Sequence, residues 1–317
     1  MHRLPIRIIA PVVLAMLLLQ PCSSLASSRH EQITRQDQVI SILYTAELDK
    51  AERRMIYQWL NEVTDALLTV YGELPADEFR IRIERSSNTG SPVPWGQVER
   101  GQPTTVLLVV NPDLGYDELI GDWTAFHELS HLLLPYRGHG NIWLSEGLAT
   151  YYQNIIQART GLMDETGMWR KIAAGFERGR KEQAWRHYNL TDVSEKIRES
   201  RQYMRIHWSG VLFWLTADVA LRKNDAGTLD DVLKQLRDCC EHDAMSAEAI
   251  VHKLDELANQ DIFVPLFTEY CDSYSIPEYE SILTDLGIKR TRGSGGVSLS
   301  SDAPLAGIRQ GIYHPGR

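Results

Sequence analysis

The sequence predicts an α+β fold in which a small β-sheet precedes a mostly helical half. Segments with strand patterns lie before residue 112, and from Tyr116 onward helical spacing dominates. Strands followed by helices are typical of a domain whose sheet and helices form separate layers. The chain has 317 residues, enough for a sizeable core without metal or disulfide support, so a metal ion is expected to serve function.

Two strands are predicted, and they differ in pattern. Residues 79–84 alternate between apolar and charged side chains, which indicates a half-buried strand. Residues 104–111 are β-branched and apolar, as expected of a buried strand or one that flanks an active site. Between them, residues 86–101 are rich in Ser, Gly and Pro and predict a loop, and residues 27–45 carry no strong signal.

Nine segments have the spacing of helices. The first covers residues 46–72, where apolar side chains recur every three or four positions until Gly72 and Pro75 end the pattern. The others lie near residues 117–134, 143–158, 164–181, 202–223, 228–237, 246–258, 261–273 and 277–286.

Three regions of the chain are predicted to differ in role. Residues 1–26 are expected to be a targeting segment and residues 27–289 one folded domain. Residues 290–317 predict a flexible link followed by a short terminal segment, in which Asp302 can begin a helix.

The N-terminus has the pattern of a secretory signal. Two arginines precede an apolar run over residues 8–19, and small residues stand where a signal peptidase would cleave after Ala26. The alternative is a membrane anchor, but the run is short of the ~20 residues that span a bilayer. A lipid anchor on Cys22 is disfavoured because Pro21 stands where a small residue is expected. We therefore expect a secreted or periplasmic protein.

The charge balance excludes two classes of partner. The formal net charge is −9, and removal of the signal, which carries only positive charges, makes the mature chain more acidic still. An acidic chain repels nucleic acid and anionic membrane surfaces. We expect neither as a partner, and the sequence gives no indication of oligomeric state.

Three cysteines remain after cleavage, namely Cys239, Cys240 and Cys271. An oxidising compartment permits one disulfide among them. Adjacent cysteines rarely bridge each other, so we predict that Cys271 pairs with Cys239 or Cys240. Their spacing matches no zinc-ribbon pattern.

The segment from Trp123 to Leu134 contains the pattern H-E-x-x-H. On a helix, His127 and His131 share one face and can present two imidazoles to one metal ion. Glu128 lies one step round the helix, beside the ion, where it can take a proton from water. The apolar residues around them bury the helix, and buried polar groups need partners. The pattern therefore predicts a zinc site.

A second motif offers the third protein ligand that a zinc site needs. Residues 143–152 read W-L-S-E-G-L-A-T-Y-Y and place Glu146 near the start of the next predicted helix. The loop before it contains Pro135 and two glycines, which allow the chain to reverse and bring Glu146 opposite the histidines. His139, between those two glycines, is the alternative ligand.

The two motifs together resemble the gluzincin zinc peptidases. They are most similar to the aminopeptidase N and glycyl aminopeptidase families, whose second motif has the form W-x-x-E-G-F-x-x-Y. The resemblance covers roughly residues 105–240. It implies a thermolysin-like catalytic domain, zinc held by His127, His131 and Glu146, and Glu128 as the general base.

This sequence departs from the aminopeptidase N pattern in two places. The interval from His131 to Glu146 is shorter, and no G-x-M-E-N segment precedes the zinc helix. The sequence therefore shows no acidic anchor for the free amino group of a substrate. We expect a peptidase, and the sequence does not distinguish an aminopeptidase from an endopeptidase.

The resemblance also bears on the group that stabilises the oxyanion. In the aminopeptidase N family this is a tyrosine of a Y-x-K-G segment. The matching residues here, 207–210, read H-W-S-G and put His207 at that position. We favour His207 as the donor. Tyr203, one turn earlier, is the alternative, and a histidine that only packs between helices is another.

The sequence thus predicts a zinc-dependent peptidase that acts on peptide or protein substrates. Strand 104–111 is expected to lie along the cleft and pair with an extended substrate. Two alternatives stay open: a binding protein that keeps the scaffold without catalysis, and a hydrolase of non-peptide amides or esters. Because both histidines and both glutamates are present, the pattern favours the enzyme.

Overall fold

A computed structural model describes residues 29–87, 90–138, 140–291 and 295–314. The predicted signal peptide with Cys22 and the alternative ligand His139 lie outside these ranges. Within them, no helix has both the length and the apolar character needed to cross a bilayer.

One five-stranded sheet forms the first layer. Its strands are β1 (His30–Arg35), β2 (Gln38–Tyr44), β3 (Glu78–Arg85), β4 (Trp95–Glu99) and β5 (Thr105–Val110). They lie in the order β1-β2-β3-β5-β4. Strands β2, β3 and β5 are parallel, and the two edge strands β1 and β4 run antiparallel to their neighbours.

Three of these strands lie where the sequence predicts none. β1 and β2 occupy the region without a strong signal, and β4 lies inside the predicted loop 86–101. Along β2, buried residues alternate with half-buried ones. This alternation would be clearer in the sequence if one face of the strand were fully exposed to solvent. β4 is short and contains Gly96, so it depends on pairing with β5 rather than on its own propensity.

The first helix, α1 (Lys50–Leu68), contacts helices of the second half of the chain. Asp49 caps it: its carboxylate accepts hydrogen bonds from the backbone N–H groups of Ala51 and Glu52, at 2.7 and 2.9 Å. The side chain of Glu52 accepts from the Asp49 N–H in return. This capping box explains why the helix begins four residues later than predicted.

The helical half contains twelve further helices among the described residues. They are α2 (Tyr116–Gly121), α3 (Thr124–Ser130), α4 (Trp143–Arg159), α5 (Glu165–Lys181), α6 (Leu190–Glu195), α7 (Ile197–Ser200), α8 (Tyr203–Lys223), α9 (Leu229–Cys240), α10 (Ala247–Ala258), α11 (Phe263–Cys271), α12 (Glu280–Asp285) and α13 (Ala306–Tyr313).

The predicted helix 117–134 is divided. Asp122 lies between α2 and α3, and its carboxylate accepts a hydrogen bond from the N–H of Thr124 at 2.7 Å, which starts the second helix. A 3-10 turn, His131–Leu133, continues α3 directly. Helices α6 and α7 are not predicted from the sequence, because they are too short for apolar residues to recur several times at helical spacing.

Helices α4 and α8 approach each other closely. A Cβ atom added to Gly147 would lie 2.3 Å from the Cα of Gly210 on the facing helix. Only glycine at both positions permits this approach. The contact matters for the site because Glu146 precedes Gly147 and His207 lies one turn before Gly210.

The segment predicted as a flexible link is instead part of the fold. Strand β6 (Ile288–Arg290) pairs with β7 (Val297–Leu299), on either side of the undescribed residues 292–294. The following helix α13 packs against α4, where Arg159 donates hydrogen bonds to the carbonyl of Ile312. Gly and Ser suggest a linker by composition, but pairing and packing order this segment.

The predicted disulfide is wrong. Cys239 and Cys240 bond to each other, and Cys271 is a free thiol. Helix α10 packs against both α9, which ends in the adjacent cysteines, and α11, which ends at Cys271, and so holds the two ends apart. The Sγ atom of Cys271 lies 3.6 Å from Oδ1 of Asn141 instead.

Candidate active site

The four predicted site residues come together where α3 meets α4. His127 and Glu128 lie on α3, and His131 begins the 3-10 turn that continues it. Glu146 lies in the first turn of α4, which contacts α3 extensively. The chain reversal predicted from Pro135 and the glycines therefore does place the carboxylate opposite the histidines.

One oxygen of Glu146 is the centre of the cluster. Its Oε2 atom lies 3.3 Å from Nε2 of His127, and 3.6 Å from Nε2 of both His131 and His207. Ligand atoms about 2.0–2.1 Å from a tetrahedral zinc ion lie ~3.3–3.4 Å apart. The ring nitrogens are thus spaced from the carboxylate as ligands of one ion would be. His127, Glu146 and His207 also form a group whose ligand atoms all lie within 4.8 Å of one another.

Helix α4 orients all three imidazoles through their other ring nitrogen. Each Nδ1 atom has a side-chain oxygen within hydrogen-bonding distance, which leaves Nε2 directed at Glu146. The pairs are His127 with Gln153 Oε1 at 2.8 Å, His131 with Ser145 Oγ at 3.0 Å and His207 with Thr150 Oγ1 at 3.1 Å. None of these three partners is predicted from the sequence. Their positions on the helix of Glu146 are the only signal that could have suggested them.

The charge state of the cluster suits a cation. Burial alone would raise the pKa of Glu146, but the three nearby histidines hold it well below its usual value. Burial lowers the pKa of His207 to about 4, although Glu146 opposes the shift. The cluster therefore combines an ionised carboxylate with a neutral imidazole, the protonation states in which these groups bind metals.

Glu128 lies beside the cluster in a dry environment. Burial raises the pKa of its carboxyl group to about 7, with the charge of His127 lowering it and that of Glu146 raising it. Strand β4 covers this side chain: a Cβ atom added to Gly96 would lie 2.4 Å from Cγ of Glu128. A carboxylate with a pKa near neutrality can both take and return a proton.

A cleft of about 1140 Å³ opens onto these residues. Its walls include β4 and the residues just before α3, and three of its aromatic side chains are exposed: Trp95, Trp123 and Tyr203, at 58%, 49% and 44%. Tyr203, the alternative oxyanion donor, lies at the start of α8. His207, one turn further, lies against Glu146 itself.

The strand beside the cleft is not the one predicted. β5 is paired on both sides, with β3 and with β4, so its backbone has no free edge for a substrate. β4 is the edge strand and lines the cleft. The apolar composition of residues 104–111 reflects burial in the sheet.

Comparison with known proteins gives one family match. The model of the M61 glycyl aminopeptidase family matches residues 137–215. This segment contains Glu146 and His207, whereas the H-E-x-x-H pattern precedes it. A search of curated protein sequences gives no match.

Several solved structures share the fold. An aminopeptidase N family protein from Idiomarina loihiensis has a TM-score of 0.56 at 14% identity, over 86% of this chain and 52% of its own. The M1 zinc metallopeptidase of Deinococcus radiodurans has a TM-score of 0.51 at 15% identity, over 79% of this chain and 52% of its own. This chain thus spans about half the length of the structures it matches.

The comparisons confirm the predicted α+β fold and the resemblance to gluzincin peptidases. The family model that matches residues 137–215 is that of a peptidase family, which agrees with the predicted class of protein.

Proposed function

We propose that this protein is a zinc-dependent peptidase that hydrolyses peptide bonds with Glu128 as general base. The observation that carries the proposal is the convergence of three imidazole nitrogens on one oxygen of Glu146, next to a carboxyl group with a pKa near neutrality. If the histidines and Glu146 had only a structural role, the buried carboxyl group of Glu128 would not be needed beside them in a cleft.

The donor set fits zinc. Two histidines of an H-E-x-x-H helix and one carboxylate are the ligands of catalytic zinc sites, and we assign His127, His131 and Glu146 to this role. Bound zinc would supply Lewis acidity, which lowers the pKa of water and polarises a carbonyl oxygen. Hydrogen bonds from Nδ1 of His127 to Gln153 Oε1 and from Nδ1 of His131 to Ser145 Oγ hold the two rings for binding.

Glu128 accepts and then donates the proton that is transferred in the proposed reaction. Its carboxylate takes a proton from the attacking water and then delivers it to the leaving amine. The pKa of about 7 allows both steps at neutral pH. Gly96 excludes water from one side of the carboxyl group because the strand backbone packs directly against it.

His207 is the donor to the developing oxyanion in this proposal. Its low pKa keeps the ring neutral, so it acts by hydrogen bonding rather than by charge. The Thr150 hydroxyl can donate to Nδ1, and the proton of the ring then resides on Nε2, which faces the site.

Strand β4 provides the binding edge. An extended peptide can add to its free side by backbone hydrogen bonds, and this brings a peptide bond past Gly96 to Glu128. The exposed rings of Trp95 and Trp123 offer apolar contacts along the same cleft.

A peptide library tests the proposal. The purified protein should cleave members of the library, and a zinc chelator should stop cleavage. His127→Ala and Glu146→Ala should both cut zinc content and activity. Cleavage of ester or non-peptide amide substrates alone would contradict the peptidase assignment, and the absence of any hydrolysis would favour a binding protein.

A further inference from the structure

Two arginines in the cleft lie close together without an acidic partner. Arg100 directly follows β4, Arg137 follows the zinc helix, and both line the cleft and the smaller cavity beside it. The guanidinium of Arg100 donates a hydrogen bond to the carbonyl of His131 at 2.6 Å. In the described part of the chain, neither arginine forms an ion pair with a carboxylate.

Arginines in this protein differ in their partners. The guanidinium groups of Arg159, Arg222 and Arg309 each bond to a carboxylate, whereas that of the buried Arg205 donates to backbone carbonyls. Arg100 is half-buried and Arg137 is exposed. The chain has 42 acidic residues against 33 basic ones, so acidic partners are abundant.

The positive charges of Arg100 and Arg137 also repel each other. Burial lowers the pKa of Arg100 to about 10, and the charge of Arg137 adds to this shift. Like charges held close together repel each other, and an anion bound between them would relieve this repulsion.

The position of the pair matches the path of a substrate. β4 passes Glu128 at Gly96, and Arg100 follows four residues later, ~13 Å along an extended strand. Its side chain then reaches back to the carbonyl of His131. A peptide paired with β4 would therefore meet the arginines a few residues from the scissile bond.

We propose that Arg100 and Arg137 bind a carboxylate of the peptide substrate. This inference rests on the proposed peptidase function and names its substrate class: peptides with an acidic side chain or a C-terminal carboxylate a few residues from the cleaved bond. Planar guanidinium groups suit a carboxylate because each can donate two parallel hydrogen bonds.

Peptide binding to a zinc-loaded variant without turnover tests the inference. In a Glu128→Gln background, fluorescence anisotropy compares short labelled peptides that are amidated and neutral with versions carrying Glu at each position in turn. A further version has a free C-terminal carboxylate. We expect about 10- to 100-fold tighter binding for Glu at one or two positions, or for the free carboxylate. The peptide version that binds more tightly identifies the source of the carboxylate, which is either a glutamate side chain or the C-terminus.

Matched variants separate a specific anchor from general charge. Adding Arg137→Gln should remove the preference for the acidic peptide and leave binding of the neutral peptide within about twofold. Arg198→Gln removes one positive charge from the same cleft and should keep the preference. Equal binding of all peptides, or an equal loss in Arg198→Gln, would overturn the inference. Arg100→Lys, which keeps the charge but loses the planar fork, should weaken acidic peptides only.

The binding test of the arginine anchor can succeed or fail independently of the test of the proposed peptidase function. Binding is measured without turnover, so a preference for acidic peptides that depends on Arg137 supports the anchor even if the wild-type protein hydrolyses nothing. Wild-type cleavage of neutral and acidic peptides at equal rates, with equal binding, would leave the peptidase proposal intact and remove the anchor.

Discussion

At the scale of single residues, His207 is close enough to Glu146 to be compared with the two histidines of the H-E-x-x-H pattern. It stands as close to Glu146 as His131 does, and the Nδ1 partner of each ring is a hydroxyl group that can donate as well as accept. His127 faces an amide oxygen, which can only accept, so its Nε2 is free to bind a metal. This difference favours His207 as a hydrogen-bond donor and His127 as a ligand.

Replacing His207 tests this distinction. His207→Ala should lower kcat by ~10²–10³, the cost typical of one lost oxyanion donor, while zinc content stays unchanged. Tyr203→Phe is the control and should matter little. Loss of zinc from His207→Ala would instead make His207 a ligand, and the reverse pattern of kcat values would move the role to Tyr203.

The sequence predicts the residues that carry the chemistry of the site better than the residues that orient them. His127, Glu128 and His131 follow from helical spacing, and Glu146 from a motif that needs only one chain reversal. Ser145, Thr150 and Gln153 are ordinary polar helix residues until the fold brings imidazoles to them.

At the scale of elements, the contact between α4 and α8 fixes the geometry of the site. Gly147 and Gly210 allow the two helix backbones to approach, which carries His207 to Glu146. The pattern of apolar residues predicts both helices but does not predict which residues face each other. For the same reason the sequence misses β4, whose existence depends on pairing with β5.

Gly147→Ala should therefore disturb both stability and metal binding. The added methyl group would overlap Gly210, and we expect the free energy of unfolding to fall by about 1–3 kcal/mol, with weaker zinc binding because Glu146 moves. Gly307→Ala on α13 is the matched control, since its methyl group would meet nothing within 4 Å. Denaturation and zinc titration measure both effects, and unchanged values for Gly147→Ala would contradict this account of the helix contact.

Glu177 on α5 joins the C-terminal elements to the domain. Burial alone would raise its pKa, but hydrogen bonds from Tyr279, Arg180 and Arg290 outweigh burial and lower the pKa to about 2. Because this lies below the unfolded value of ~4.3, the carboxylate stabilises the fold above that pH, and its contribution is lost as the pH falls towards 2.

Glu177→Gln should lower the free energy of unfolding by about 1–3 kcal/mol at neutral pH, the range for hydrogen bonds to charged groups. The difference from wild type should shrink as the pH approaches 2, as measured by urea denaturation. Glu269→Gln, at an exposed position of α11, should have little effect at either pH. A difference for Glu177→Gln that is constant with pH would contradict the linkage.

At the scale of the whole molecule, export remains a prediction from the sequence. Residues 1–26 lie outside the described ranges, so the argument rests on the basic residues, the apolar run and the small residues before Ser27. Mass spectrometry of protein from its native compartment should find a chain that begins near Ser27, with Cys239 bonded to Cys240 and Cys271 free. An intact N-terminus would contradict export.

The central claim is that Glu128 moves the proton while zinc is held by other residues. The most direct test measures zinc content and peptide hydrolysis on the same preparations of wild type and Glu128→Gln. We predict about one zinc per chain in both, with hydrolysis in the wild type only and none after chelation. Undiminished hydrolysis by zinc-loaded Glu128→Gln, or by zinc-free wild type, would contradict it.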